Sequence, residues 1–330
     1  MPTATRADRE DGCRSGDRAG LGILLMLVAA VFATSLSASA KWLLTELAWP
    51  ALQVVALRYA VHFAMSCAIF VPRQGVAVFR ANAPGRLLLR SLVLILATLL
   101  NFLALQHLPL TLTTVILFAG PILITVLSVP MLGERIGAHR LMAVLLGFCG
   151  VLVVIQPGGV GFDPAVLYSV GSMGFASLYY ILTRMLAGVD SNASIQLWSS
   201  GLASVVFLPL SLGTWVWPES GAALAVVLFM GVCGGLSHIA STGAHQLARA
   251  SMLAPFTYAQ IVTASVAGYL LFAERPGAAT LLGCAIIIGS GLYLWGRETR
   301  LSGPRSSSSC QRRHGPACDN ERAICPGCRP

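Results

Sequence analysis

The stretch that decides the fold is ALQHLPLTLTTVILFAGPILITVLSVPMLGERIGAHRLMAVLLGFCGVLVVIQP, which covers Ala104–Pro157. It consists of two long apolar runs joined by a short link that carries Glu134-Arg135. The same design recurs 140 positions later, where AHQLARAS at Ala244–Ser251 aligns with ALQHLPLT at Ala104–Thr111 and Glu274-Arg275 aligns with the first charged pair. Chance agreement in Leu- and Ala-rich sequence is the alternative, but a charged pair and a glutamine in register favour an internal repeat.

The composition excludes an ordinary soluble domain. Of the 330 residues, 56% are hydrophobic and only 11% are charged, whereas soluble domains carry about 25% charged residues. The net charge of +9 does not indicate nucleic-acid binding, because the basic residues lie between apolar runs and in the two tails. The polar first twenty residues lack the pattern of a cleaved signal peptide, so the first apolar run is expected to be a retained span.

A helix that crosses a bilayer needs about 20 apolar residues. The sequence predicts an all-α integral membrane protein with ten transmembrane helices, arranged as two inverted five-helix repeats. The predicted spans are 20–43, 50–71, 86–106, 109–131, 137–156, 163–186, 192–214, 221–246, 250–273 and 277–296. The domains are then a cytoplasmic N-tail at 1–19, a first repeat at 20–156, a second repeat at 163–296 and a disordered cytoplasmic C-tail at 297–330.

The placement of Lys and Arg predicts the orientation. With a cytoplasmic N-terminus, the cytoplasmic segments hold nineteen of the 22 basic residues, the outer links hold Lys41 and Arg275, and Arg58 lies inside a span. Positive residues concentrate on the cytoplasmic side of membrane proteins. Both termini are therefore expected in the cytoplasm. The chain itself is expected in the inner membrane of the cell.

Five spans in each unit turn the second unit over relative to the first. Inverted repeats place a binding site near the middle of the bilayer, where the two halves meet and rock against one another. The first spans also align at a shift of 143, with Phe32-Ala33 over Phe175-Ala176 and Lys41 over Arg184. Polar residues in the span interiors are therefore the candidates for such a site.

Arg58 is the first candidate, because it lies eight residues into the second span. A buried arginine in a membrane faces the bundle interior or a water-filled cavity. It could bind an anionic or carboxylate group of a substrate, or it could be a structural arginine that bonds helix ends or extends outward. His62 lies one turn on, and it could be a packed histidine or a proton carrier.

Thr98 and Asn101 in the third span share a helix face, as do Gly234, His238, Ser241 and His245 in the eighth. In the repeat alignment Thr98 lies over His238 and Asn101 over Ser241. This match favours a shared polar cavity, although hydrogen bonds between helices would also explain it.

Aromatic residues complete the candidate site. Phe118 aligns with Tyr258, Gln260 is nearby, and the sixth span adds Tyr179 and Tyr180. Such rings could hold a flat or cationic group, and core packing is the alternative. The predicted substrate-binding residues are Arg58, Thr98, Asn101, Phe118, Tyr180, His238, Ser241, Tyr258 and Gln260.

The sequence contains no phosphate-binding loop, catalytic triad or metal-ligand cluster, and acidic residues are almost absent from the span interiors. No catalytic residue, metal or cofactor is predicted. The C-tail carries Cys310, His314, Cys318, Cys325 and Cys328, but their spacing fits no zinc pattern beyond one Cys-x-x-Cys. The expected partners are a small-molecule substrate, the lipid bilayer and, as a candidate assembly, a second copy in a homodimer.

Together these features resemble the drug/metabolite transporter superfamily, specifically its EamA type. The residues that carry the resemblance are LRYAVHF at 57–63, ALQHLPLT at 104–111, FAGPILITVLSVPMLGERIG at 118–137 and LLFAERP at 270–276. The resemblance implies ten helices, inverted five-helix repeats, cytoplasmic termini and a central cavity. It also implies transport of amino acids, nucleotide-like compounds, S-adenosylmethionine, vitamins such as riboflavin, or drugs. The long C-tail departs from the family pattern.

Two functions are consistent with these observations. The first is a secondary transporter of a small metabolite that works by alternating access around a midplane cavity. The second is a membrane sensor or partner protein that transports nothing. A matched polar cavity favours the first, because a scaffold does not need one. An enzyme that acts on lipid is a poorer third alternative, because no nucleophile is paired with a base.

Overall fold

The computed structural model describes residues 6–132, 138–156, 163–186, 189–247, 253 and 256–301. Throughout these ranges the regular structure is helical and no strand occurs, which confirms the predicted all-α class. By length and composition, six of the described helices could each cross a membrane. The chain is therefore a multispanning helical membrane protein. The finer arrangement, ten spans in two inverted units, is compatible with the described helices and stays a prediction.

The described helices follow the predicted spans closely. In chain order they are α1 (Arg6–Thr45), α2 (Ala51–Gln74), α3 (Pro84–His107), α4 (Leu110–Leu117), α5 (Gly120–Leu132), α6 (Ala138–Ile155), α7 (Val166–Leu186), α8 (Asn192–Ser211), α9 (Gly221–Leu247), α10 (Ala259–Phe272) and α11 (Ala278–Leu301). Short 3₁₀ turns lie at Val76–Phe79 and Leu212–Thr214. Proline precedes α2 and α4 and begins α3, because a helix start has no use for the missing N–H.

The first helix begins at Arg6, ahead of the predicted span start at residue 20. Arginine, alanine and glutamate are good helix formers, so the polar residues before the span extend its helix. Other predictions lie outside the described residues: the Glu134-Arg135 link and the C-tail beyond Leu301.

The fourth predicted span is broken into two helices. The backbone turns at Phe118-Ala119, between the end of α4 and the start of α5. The position aligned with Phe118 in the second repeat is Tyr258, which is also a turn residue directly before α10. A continuous apolar run does not reveal such a break, because hydropathy does not depend on backbone conformation. Interrupted helices inside membrane proteins occur where backbone groups are buried in protein or line a cavity.

Helices pack in pairs that recur in both halves of the chain. Packing of α1 on α9 has its counterpart in α7 on α3, and α2 on α9 has its counterpart in α8 on α3. Likewise α1 contacts α10, and α7 contacts α5. The pairs α2–α8, α6–α11 and α4–α10 each join equivalent helices of the two halves. Each pairing thus survives exchange of the first five spans with the last five.

Glycines set the closest approaches between helices. A methyl group at Gly231 of α9 would overlap Val61 of α2, and one at Gly235 would overlap Met65. On the other side of the bundle, Gly150 of α6 faces Gly283 of α11. Small residues let helix backbones approach closely in membranes, so these glycines fix the α2–α9 and α6–α11 contacts.

A charged junction joins the end of α1 to Glu274, which follows α10. The Lys41 ammonium at the end of α1 lies 2.6 Å from a Glu274 carboxylate oxygen and donates to the Leu108 carbonyl at 2.6 Å. The other Glu274 oxygen accepts from the Leu110 N–H at 2.8 Å. The junction therefore joins α1 and the α3–α4 link of the first half to the segment after α10 in the second half.

Candidate functional site

Arg58 of α2 lies in the bundle interior with only 6% of its surface exposed. Its Nη1 donates to the Thr98 hydroxyl at 3.1 Å. The guanidinium carbon lies 4.6 Å from the ring centre of Tyr59 and 5.7 Å from that of Phe102. Its Nε is buried and has no hydrogen-bond partner. Arg58 therefore lies in the interior of the bundle, which is one of the two alternatives expected from the sequence. Its Nε makes no hydrogen bond among the described residues.

Thr98 of α3 is the hub of this cluster. Its hydroxyl donates to the Leu94 carbonyl at 3.0 Å, so it accepts from both Arg58 and the Tyr59 hydroxyl, which lies 2.7 Å away. Asn101 follows three residues later on the same helix face. Its buried Oδ1 also has no partner. The predicted neighbours Thr98 and Asn101 thus present one satisfied and one unsatisfied polar group.

Two histidines extend the cluster to α8 and α9. The His62 Nε2 lies 2.8 Å from the Gln196 Oε1, and because that oxygen only accepts, Nε2 is the donor. The His62 ring stacks on His238, with ring centres 5.7 Å apart and planes 11° apart. The buried Nδ1 of His62 has no partner. His62 is therefore both packed and polar, and it joins α2 to the face of α9 that the repeat alignment selected.

Arg90 is the functional candidate that the sequence analysis missed. It was counted with the cytoplasmic basic residues, but it lies within α3 with 4% of its surface exposed. Its three donor nitrogens reach the hydroxyls of Thr183, Ser199 and Tyr179 at 2.7–2.8 Å. Without Arg90, eighteen basic residues still lie in the predicted cytoplasmic segments, so the predicted orientation is unchanged. The same signal that selected Arg58, an arginine inside a span, would have selected Arg90.

Tyr180 borders the Arg90 cluster. Its ring packs edge-on against Tyr179, with ring centres 5.2 Å apart, yet 58% of its surface is exposed. The predicted residue Tyr180 is therefore exposed, while its neighbour Tyr179 accepts the hydrogen bond from Arg90.

Phe118 and Tyr258, the aligned aromatics, meet directly. Their ring centres are 5.7 Å apart at an angle of 44°, and each stands at a helix break. Both rings pack against an apolar cluster formed by α4, α6 and α11. The Tyr258 hydroxyl occupies the space that a side chain at Gly291 would need. Ser241 and Gln260 are partly buried on α9 and α10. The structure thus places Arg58, Thr98 and His62 with His238 in one cluster and Phe118 with Tyr258 in another.

The fold and these clusters define a class of protein. Long apolar helices surround a polar cluster in which three buried atoms of α2 and α3 lack partners among the described residues. The cluster joins these two helices of the first half to α8 and α9 of the second through Gln196 and His238. A bundle of this kind is typical of a multispanning membrane transporter.

Comparison with known proteins gives the family. The sequence matches the EamA-like transporter family over residues 20–156 and 163–295. The chain belongs to this family, and it is a membrane permease for small metabolites rather than an enzyme.

Named relatives are similar over most of their length. A riboflavin transporter of Rhizobium johnstonii is 28% identical over 86% of this chain and 93% of its own length. An S-adenosylmethionine uptake transporter of Rickettsia felis is 30% identical over 68% of this chain and 76% of its own length. A protein of known crystal structure shares the fold with a TM-score of 0.59, at 21% identity over 87% of this chain and 99% of its own.

Proposed function

We propose that the protein moves a small metabolite across the inner membrane by alternating access around a central cavity. Seven buried side-chain polar atoms lack a hydrogen-bond partner in the described residues. The observation that carries this proposal is that three of them, Arg58 Nε, His62 Nδ1 and Asn101 Oδ1, lie on the neighbouring helices α2 and α3. An unsatisfied buried polar group costs about 1–3 kcal/mol. A scaffold has no reason to retain three in adjoining helices, whereas a transporter gains them as contacts for its cargo.

The moving parts are two inverted five-span units, 20–156 and 163–296. Support comes from the helix pairings that survive exchange of the two halves. In this arrangement the Lys41–Glu274 junction closes the outer end, and both termini lie in the cytoplasm. Because Arg184 aligns with Lys41 and Glu134 aligns with Glu274, the equivalent closure at the inner end would use Arg184 and Glu134.

The proposed cavity is lined or bordered by the nine residues selected from the sequence, with Arg90 added as a neighbour. Polar members from α2, α3 and α9 meet through the Arg58–Thr98 hydrogen bond and the His62–His238 ring contact. Tyr180 contributes an open aromatic face from α7. Phe118 and Tyr258 lie at the paired helix breaks, where a change in backbone angle would move both rings together.

The cargo is proposed to be an amino-acid-like compound, S-adenosylmethionine, a vitamin such as riboflavin, or a drug. These classes follow from the names of the relatives and from the family. The exposed apolar faces of α6 and α11, which include Leu145 and Leu282, would contact lipid or a second copy in a homodimer.

Transport by the purified protein in proteoliposomes tests the proposal. Radiolabelled riboflavin, S-adenosylmethionine and amino acids would be assayed for wild type, Asn101→Ala and Tyr180→Ala. Both variants should lose transport while remaining folded, because the buried Asn101 Oδ1 has no hydrogen-bond partner to lose among the described residues and Tyr180 is largely exposed.

Tyr269→Ala is the matched control, since Tyr269 is a similarly exposed tyrosine of α10 outside the proposed cavity. Tyr258→Ala is less suitable, because it would also remove ring packing against Phe118. If both site variants transport as well per folded molecule as wild type does, the proposed cavity lining is wrong.

A further inference from the structure

Two arginines are buried in the bundle, and the spans hold no carboxylate that could neutralise them. The ten predicted spans contain a single acidic residue, Asp163, at the first position of the sixth span. In the described part of the chain, Arg58 and Arg90 contact only hydroxyl groups and aromatic rings. Intramembrane charges are normally paired with one another or with backbone carbonyls. Arg58 and Arg90 have no such partner among the described residues, so a negative group from outside the chain could neutralise them.

The two arginines differ in what they can still bind. Each of the three guanidinium nitrogens of Arg90 donates to a hydroxyl oxygen. Arg58 keeps its Nε free.

A gap in α9 faces this open donor. A methyl group placed at Gly234 would lie 3.6 Å from the Arg58 Nε, and its other nearest neighbours would be the two Leu36 methyls at 3.6 and 3.9 Å. All three distances are ordinary van der Waals contacts. Gly234 therefore leaves space for a methyl-sized group beside the guanidinium, and the Leu36 side chain borders that space.

We propose that the transported compound carries an anionic group, a carboxylate or a phosphate, which binds Arg58 at the Nε edge beside Gly234. The inference rests on the proposed transport function and specifies its substrate class. A guanidinium presents donors in a planar fork that matches both oxyanions. Hydrogen bonds between charged partners are also shorter and roughly twice as strong as neutral ones. A compound without the anionic group would leave the Arg58 cation buried without a counter-charge, which is costly.

Matched compounds that differ in one anionic group test this inference. The full-length protein in lipid nanodiscs would be titrated with riboflavin and riboflavin 5′-phosphate, with N-acetylmethioninamide and N-acetylmethionine, and with adenosine and adenosine 5′-phosphate. At least one anionic member should bind wild type about 10- to 100-fold more tightly than its neutral mate, the range expected for a charge-assisted hydrogen bond. The methionine arm reports carboxylate recognition, and the other two report phosphate recognition.

Three variants separate the charge from the fold. Arg58→Gln should abolish the preference for the anion, while Arg73→Gln, which removes an exposed charge from the same helix, should keep it. Gly234→Ala should also abolish the preference, since its methyl group covers the Nε edge. Because alanine is the better helix former and fits without a clash, a misfolded protein cannot explain that loss.

The inference is overturned if no anionic member binds wild type more tightly than its neutral mate, or if Gly234→Ala keeps the preference. Should Arg58→Gln fail to fold, the Gly234→Ala result decides alone. Transport of a neutral compound without an anion preference would end this inference and leave the proposed function intact. Anion binding without movement of any compound across the bilayer would do the opposite.

Discussion

Removal of the Glu274 charge is expected to destabilise the protein strongly. In the Lys41–Glu274 junction the two side chains are only 9% and 12% exposed, so Glu274→Gln leaves an ammonium group buried without its counter-charge. Breaking a buried pair in this way costs about 3–5 kcal/mol. At roughly 2 °C per kcal/mol for a chain of this size, the melting temperature should fall by about 6–10 °C.

The directions of the hydrogen bonds sharpen this prediction. Lys41 donates to the Leu108 carbonyl, and Glu274 accepts from the Leu110 N–H. The charge swap Lys41→Glu with Glu274→Lys would set a carboxylate against a carbonyl and an ammonium against an N–H. It should therefore not rescue stability, although it restores the ion pair. The double variant Lys41→Met with Glu274→Gln removes both charges, and it should recover most of the loss.

Unfolding can be followed with a thiol-reactive dye. Cys233 and Cys284 are buried in the folded protein, so they react only on unfolding. Truncation after Arg300 removes the tail cysteines, and serine at positions 13, 67 and 149 removes the remaining cysteines that would give background signal. A fall of less than about 2 °C in Glu274→Gln, or full rescue by the charge swap, would refute the reasoning.

Three further outcomes are expected. Cysteines introduced at Glu134 and Glu274 should label from opposite sides of the membrane, and labelling from the same side would contradict inverted units. Truncation after Arg300 should leave membrane insertion and transport unchanged, and loss of transport at normal membrane levels would show that the tail is needed. Gly231→Ala should cost about 1–3 kcal/mol by overpacking α2 against α9, while Gly174→Ala, where a methyl group meets nothing within 4 Å, should be neutral or stabilising in the same melting assay.

The sequence predicted the fold class and most helix positions, because an apolar run of sufficient length has few alternatives to a membrane helix. The break at Phe118 was not predicted, although Pro121 lay nearby, because hydropathy reports the environment of a segment and not its backbone angles.

The candidate site was predicted in part. Periodicity placed Thr98 and Asn101 on one face, but it could not say that Arg58 would reach Thr98 from another helix, since partners across helices depend on packing. Gln196 as the partner of His62 was inaccessible for the same reason. Arg90 was missed because it follows Arg86 and other basic residues of a link, and a charge count assigns such a group to the surface.

The division of the fourth span bears on how the protein fits bilayers of different thickness. At 1.5 Å per residue, α4 and α5 have lengths of about 12 and 20 Å, so neither crosses a hydrocarbon core of about 30 Å alone. A straight helix answers a thinner bilayer by tilting as a rod. Two helices joined at Phe118-Ala119 can answer by bending at the joint, which changes the height of the pair without disrupting the hydrogen bonds within either helix. The interrupted span thus supplies mechanical compliance against membrane thickness.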